Sequence, residues 1–292
     1  MIVYAAAVIH PANSSDYAMV AQLAKNTITS ILANQGPMRV VVACNQTLDL
    51  GLNDERYCEV ITDLPPPSKD TNSGIPLNAM LLDKGRKLLK AIDFAQQLDP
   101  RYVVIFDADD YVSNKINTFL TSQSERCNWY VDQGYVWAAG APHMKPTHNF
   151  VDYCGTSLVF DNETLVAQFP NLRHQAEPSA EAPSIPESED AEHLIKTLGN
   201  HREALPYLGT HGAAFKPLPF PAAVWVRNTG LNHNEILFQD IGFKVSPDQL
   251  AEFNLVIDPA VLDGFTDTLS SVLFLRLKQL YWRTRRLLSP NR

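Results

Sequence analysis

Hydrophobic positions along this 292-residue chain change period from one segment to the next. Ile2 to Ile9 is a continuous apolar run closed by His10-Pro11, where the missing proline N–H should end sheet pairing. Asp16 to Asn34 places Val20, Leu23, Ile28, Ile31 and Leu32 on one helical face, with Ser14, Ser15 or Asp16 as cap. Arg39 to Ala43 and Cys58 to Thr62 read as strands, the second stopped by Pro65-Pro66-Pro67. Lys84 to Leu98 reads as a helix, and Tyr102 to Phe106 is again apolar throughout. Fully apolar strands separated by helices predict a mainly parallel sheet flanked by helices on both faces, an α/β architecture.

The second half is less regular and predicts a mixed sheet. Tyr130 to Ala139, Thr156 to Phe160 and Ala223 to Arg227 read as strands, and Pro206 to Pro221 as turn-rich. Residues 176–192 are rich in Glu, Pro, Ala and Ser and lack aromatics, the composition of a flexible loop. Helical character resumes near Asp190, and Leu269 to Leu288 reads as a helix.

Composition narrows the partners. A formal charge of -8 argues against nucleic acid, which requires a dense field of Lys and Arg. Six basic residues and no acidic one lie between Thr268 and Arg292, so the terminal helix is basic and amphipathic and is a candidate for peripheral contact with an anionic membrane. Cys44, Cys58, Cys127 and Cys154 form no CxxC pair, which favours a reduced, cytoplasmic setting over a zinc ribbon or redox dithiol. Met1 to Ile9 lacks a basic n-region and a cleavage pattern, and no apolar run is long enough to span a bilayer.

The chemistry concentrates at Asp107-Ala108-Asp109-Asp110, three carboxylates within four residues just beyond a buried strand. Like charges that close destabilise a fold unless a cation neutralises them. A hard divalent ion, Mg²⁺ or Mn²⁺, accepts carboxylate oxygens and leaves positions for substrate phosphates. The competing explanation is an acidic turn capping the next helix. Ligands of parallel sheets bind beyond the carboxyl ends of the strands, which favours the metal.

In this order of elements, with Ser30-Ile31-Leu32-Ala33-Asn34-Gln35 on the first helix and Val104-Ile105-Phe106-Asp107-Ala108-Asp109-Asp110, the chain resembles GT-A fold glycosyltransferases, family 2 in particular. The resemblance runs in order over residues 1–160 and more loosely to about Asn234. It implies a nucleotide-diphosphate sugar (UDP or GDP) as donor and a glycan or lipid-linked sugar as acceptor, in an inverting, hexosyltransferase-type reaction. Residues 1–265 would form the catalytic domain, with a nucleotide-sugar half (1–112) and an acceptor half (113–265) that holds the acidic loop 176–190. Residues 266–292 would form the basic helix.

By the same resemblance Asp107 contacts the donor and Asp109 binds the metal, with Asp107 as a further ligand and Asp110 auxiliary. His211 or His233 would be a ligand from the second half. Asp190 would be the general base, with Glu189 as alternate. Pro11 and Asn13 fit the Pro–x–Asn turn after the first strand, and Lys84 and Arg86 lie near the diphosphate. Asn45 stands where an acidic pair usually reads the base; its amide offers a donor and an acceptor. Gly155-Thr156-Ser157 matches the turn before the acceptor-side strand. Trp129, Tyr130, Tyr135, Trp137 and Trp225 are candidate sugar platforms or ordinary core residues.

Two other readings compete. A haloacid-dehalogenase-like phosphatase also carries Asp-x-Asp after an apolar strand, but near its N-terminus and followed by a small residue, where this chain has Tyr111. A GT-A-like domain that binds sugar nucleotide without turnover is the non-enzymatic alternative. Nucleotidyltransferases and dinucleotide oxidoreductases need a glycine-rich loop after the first strand, and His10 to Ser15 contains no glycine.

Overall fold

A computed structural model describes residues 1–69, 74–172, 191–227, 229 and 242–263. The first half runs β1 (Ile2–Ala7), α1 (Tyr17–Leu32), β2 (Met38–Cys44), β3 (Tyr57–Ile61), α2 (Leu77–Gln96), β4 (Tyr102–Ile105) and β5 (Tyr111–Val112). It continues through α3 (Ile116–Ser122), β6 (Asn128–Tyr130), β7 (Gln133–Ala138), β8 (His143–His148), β9 (Leu158–Asp161) and α4 (Asn162–Gln168). After the undescribed stretch come α5 (Ala191–Leu194), which runs on as a π turn (Ile195–Gly199), then α6 (His201–Thr210), β10 (Phe215–Pro217), β11 (Ala223–Arg227), β12 (Phe243–Lys244) and α7 (Pro247–Phe253).

Among the described residues two sheets form. The larger has the order β10-β6-β9-β4-β1-β2-β3, and the smaller β12-β8-β7-β11-β5. In the larger sheet β4, β1, β2 and β3 are parallel, and β9 alone enters antiparallel, between β4 and β6. This is the expected α/β class with a mainly parallel sheet and a mixed second half.

The uninterrupted apolar strands have a direct cause. Tyr4, Ala6, Val104 and Phe106 face a cluster that includes Ala24, Ile28 and Ile31 of α1. Val3, Ala5, Val103 and Ile105 face the opposite cluster, with Leu88, Leu89, Ile92 and Ala95 of α2. Both faces are covered, so neither parity of the strand can be polar. Asp16 caps α1 as expected, its carboxylate accepting from the Met19 N–H at 2.9 Å.

Several boundaries differ from expectation. α2 begins at Leu77, seven residues before Lys84. Lys84 therefore lies inside the helix and not at a solvated start. The expected strand Tyr130–Ala139 is two strands in different sheets, broken around Val131-Asp132. The turn-rich reading of Pro206 is replaced by α6, which contains that proline. Pro206 is exposed while Ala204 and Leu208 are buried, so the carbonyl that loses its N–H partner lies on the solvent side. The acidic loop 176–190 and the terminal helix 269–288 lie outside the described residues. No helix among the described residues is long and apolar enough to cross a membrane.

Candidate active site

β1 and β4 are adjacent and parallel, in register at Ala5 and Ile105, so both carboxyl ends open on the same side. The Phe106 N–H still donates to the Ala5 carbonyl at 3.1 Å. One residue later the chain leaves the sheet as Asp107-Ala108-Asp109. These residues line a cleft of about 520 Å³ together with Ala7, Val8 and Ile9 beyond β1, Asn13 to Ser15, and Asp83, Lys84 and Lys87 of α2. Lys84 and Lys87 are one helical turn apart and share a face. Arg86, between them, is half-buried and does not line the cleft.

Lys84 donates from Nζ to Asp107 Oδ1 across 23 residues of sequence. Burial opposes charge at Asp107, yet the Lys84 ammonium, helped by His201 and the Gly155 N–H, holds its carboxyl below the usual range. Gly155 closes the other side. A Cβ there would stand 2.4 Å from Asp107 Oδ2 and 2.6 Å from Lys84 Nζ, so only glycine leaves the pair intact. Lys87, fully buried, donates to Asp83 at 2.8 Å and to the Val8 carbonyl at 3.0 Å, tying α2 to the end of β1.

The three aspartates have separate fates. Asp110 is 1% exposed and fully engaged. Its Oδ2 accepts from Cys154 Sγ at 2.9 Å and Thr156 Oγ1 at 2.7 Å, and its Oδ1 accepts from the Val226 N–H at 3.1 Å. Burial, then the charges of Asp109 and Asp107, raise its pKa well above the ordinary value. Thr156 Oγ1 also accepts from the Asp107 backbone N–H at 2.9 Å, so one hydroxyl links the Asp107 main chain to the Asp110 carboxylate. Asp110 thus joins the end of β4 to the second half of the fold. Asp109 faces the cleft. Burial, then repulsion from Asp107, pushes its pKa to about 6 despite the nearby Lys84.

The donor set fits a divalent cation. Asp109 carries a charge that the protein leaves poorly compensated, and Asp107 stands beside it. Mg²⁺-type ions bind through one or two carboxylates and fill the remaining positions with water and substrate phosphates. Among the described residues no group of three or more His, Cys, Asp or Glu is arranged as a metal site, so protein ligands alone would not complete the shell.

The other expected residues are placed as follows. Asn13 lines the cleft and donates to the Pro67 carbonyl at 3.1 Å, within a 3-10 turn that Pro11 opens. Asn45 does not line the cleft. Its amide nitrogen is used by Thr62 and Leu64, with the Leu64 carbonyl at 2.8 Å, and its Oδ1 is buried without a hydrogen-bond partner. Only an acceptor would therefore remain for reading a base. His211 Nδ1 is 2.8 Å from the Tyr207 carbonyl and its ring stacks on Tyr207 at 4.2 Å. Asp190, Glu189 and His233 lie outside the described residues.

Trp129, Trp137 and Tyr135 are packed edge-on against Phe119, Tyr111 and Phe253, as core residues. Tyr130 packs on the cluster beneath α2. Three contributors were absent from the sequence reading: Lys87, Asp83 and His201. The first two had a signal, a charged pair four apart on an otherwise apolar helix face. His201 Nε2 is buried without a hydrogen-bond partner, and burial, then the Lys84 charge, lowers its pKa to about 4.

Fold and site together define an α/β protein with a charged cleft at the carboxyl ends of parallel strands, suited to a polyanionic ligand and a hard cation. No protein-family model matches the chain, and no curated protein matches it in sequence. Among solved structures it is similar to S. aureus TarS 1–349, at 10% identity and TM-score 0.39, covering 77% of this chain and 60% of that one. It is also similar to the bifunctional IspDF from Campylobacter jejuni (10%, TM-score 0.34, 74% of this chain and 48% of that one). An active-site mutant of LgtC gives 13% and TM-score 0.31, over 88% of this chain and 84% of that one. The chain thus spans less than two thirds of the TarS and IspDF structures. Likeness at that level defines no family.

Proposed function

We propose that the protein is a metal-dependent glycosyltransferase that moves a hexose from a UDP- or GDP-linked donor to a hydroxyl acceptor on a glycan or lipid-linked sugar. The observation that carries this reading is the cleft itself: Asp107 and Asp109 at the end of β4 face Lys84 and Lys87 across the mouth of β1. Two carboxylates suit a cation and the Lys84 ammonium suits a phosphate, while Lys87 is held by Asp83 and the Val8 carbonyl behind the wall, so a metal–diphosphate matches the lining.

Asp109 and Asp107 would hold Mn²⁺ or Mg²⁺. When bound, the ion offsets charge on the departing nucleoside diphosphate. Lys84, beside Asp107 on the cleft wall, would offer its ammonium charge to the phosphates. Lys87 holds the Val8 end of β1 at the wall of the cleft. Asn13, which lines the cleft, would border the nucleoside; Pro11 and Asn45 remain part of the proposal only through the family resemblance. The base that removes the acceptor proton would be Asp190, with Glu189 as alternate, on the segment that leads into α5. A histidine ligand, His233 or His211, remains part of the proposal only through the family resemblance. The arginine-rich sequence of residues 268–292 supports an acceptor at an anionic membrane face.

The test is nucleoside-diphosphate release from a panel of UDP- and GDP-sugars with Mn²⁺ or Mg²⁺. Metal-dependent release that disappears in Asp109→Ala supports the proposal. Hydrolysis of simple phosphate monoesters with no sugar-nucleotide turnover would replace it with the phosphatase reading. Donor binding without turnover would leave a sugar-nucleotide-binding domain.

A further inference from the structure

The second wall of the site carries an aromatic feature that the donor chemistry does not use. Tyr153 is 47% exposed, unusual for a ring so close to a buried carboxylate cluster. It stacks on Trp225 with ring centroids 6.3 Å apart and planes 27° apart. The guanidinium of Arg227 lies over the same Trp225 ring at 4.5 Å. Both supports are fixed to the motif. The Val226 N–H, between Trp225 and Arg227, donates to Asp110, and Cys154, next to Tyr153, donates to the other oxygen of the same carboxylate. The loop before Tyr153 is anchored by the fully buried Phe150, whose carbonyl accepts from the Tyr153 N–H at 3.0 Å.

Distance makes the placement informative. Tyr153 is two residues from Gly155, whose Cα abuts the Asp107 carboxylate. Two residues span at most about 7 Å of backbone, so the Tyr153 main chain stands close beside the Asp107 end of the cleft. An exposed tyrosine supplies rigid, amphipathic contact area at little entropic cost, and an apolar face with nearby polar groups is the usual composition of a small-ligand site. The exposed Asp152, immediately before it, offers a carboxylate for hydroxyl groups.

We propose that Tyr153, backed by Trp225, is the platform on which the apolar face of a pyranose ring of the acceptor stacks, beside the donor cleft. The acceptor is therefore a glycoside, not a simple alcohol or a protein hydroxyl. This rests on reading the Asp107–Asp109 cleft as the donor site.

The test separates the two. Methyl β-glucopyranoside, methyl β-galactopyranoside and methyl N-acetyl-β-glucosaminide are titrated without nucleotide, reading Trp fluorescence and ligand NMR saturation transfer. UDP and GDP with Mn²⁺ are titrated on the same samples. At least one glycoside should bind saturably. Tyr153→Ala should weaken it about tenfold or more, the equivalent of 1.4 kcal/mol, while Tyr153→Phe retains it and nucleotide affinity is unchanged in both. Glycoside binding that depends on Tyr153, without any nucleotide binding, would sink the donor reading and leave the platform standing. Nucleotide binding with no glycoside bound, or with equal glycoside affinity in Tyr153→Ala, would overturn the platform.

Discussion

Replacing Asp109 with Asn should stabilise the metal-free protein at neutral pH while removing the proposed sugar transfer. The Asp109 carboxyl titrates at about 6 in the folded protein against an ordinary value of 3.8, because burial and the Asp107 charge both oppose ionisation. A carboxyl whose folded pKa is raised holds a proton that the unfolded chain has already released. Stability from this group is therefore present at low pH and falls as pH rises from the unfolded value through the folded one. Above that window the folded protein bears the cost of the ionised carboxylate. At about 1.4 kcal/mol for each pH unit of separation, the cost approaches 3 kcal/mol, and solvent at the half-buried site reduces it toward 2. Asparagine has nearly the same shape and no charge, so the cost vanishes at every pH.

Urea unfolding followed by circular dichroism from pH 4 to 8, without metal, measures this directly. At pH 7.5 the variant should be more stable by about 1–3 kcal/mol, a rise of several degrees in Tm for a domain of this size. The two curves should converge near pH 4. Mn²⁺ with nucleoside diphosphate should then stabilise the native protein and not the variant, because ligand binding to the folded state adds its own linkage term. Parallel pH curves, or a variant less stable at pH 7.5, would show that Asp109 is already compensated and would refute the reasoning.

Three further outcomes follow from the geometry. Gly155→Ala, which places a Cβ 2.4 Å from Asp107 Oδ2, should cost about 1–3 kcal/mol by overpacking and weaken nucleotide binding at least tenfold in a calorimetric titration. Thr156→Val removes a buried hydroxyl that bonds both Asp107 and Asp110, and should cost about 2–4 kcal/mol in urea unfolding, with a larger loss of turnover than of fold. Tyr4→Phe leaves the buried Asn117 Oδ1, 2.8 Å from the lost hydroxyl, without that donor and should cost about 1–3 kcal/mol at unchanged turnover, marking a purely structural bond.

How much of this was legible in the sequence divides along a physical line. Local signals carried well. The apolar run Tyr102 to Ile105 needed no partner to be seen as a strand buried on both faces, and Asp16 announced the start of α1 by its own capping chemistry. Asp107 and Asp109 were visible because their cost had to be explained wherever the chain went. Long-range consequences were not legible. Lys84 meets Asp107 across 23 residues, and nothing in either segment encodes the meeting. The role of Asp110 depends on Cys154, Thr156 and Val226, which reach it only because β9 and β11 pack where they do. Pro206 misled because a proline is a helix breaker only where its missing bond would be buried. Asn45 kept the right chemistry, but its amide is spent on Thr62 and Leu64, a matter of neighbours and not of residue type.

The central claim is that the cleft beyond β1 and β4 binds a metal–nucleoside diphosphate through Asp109. Isothermal titration of UDP and GDP, each with and without Mn²⁺, into the native protein and Asp109→Asn tests it most directly. At least one nucleotide should bind the native protein only when the metal is present, and the folded Asn variant should show no such binding. Equal affinity in the variant, or no binding of either nucleotide to the native protein, would contradict the account.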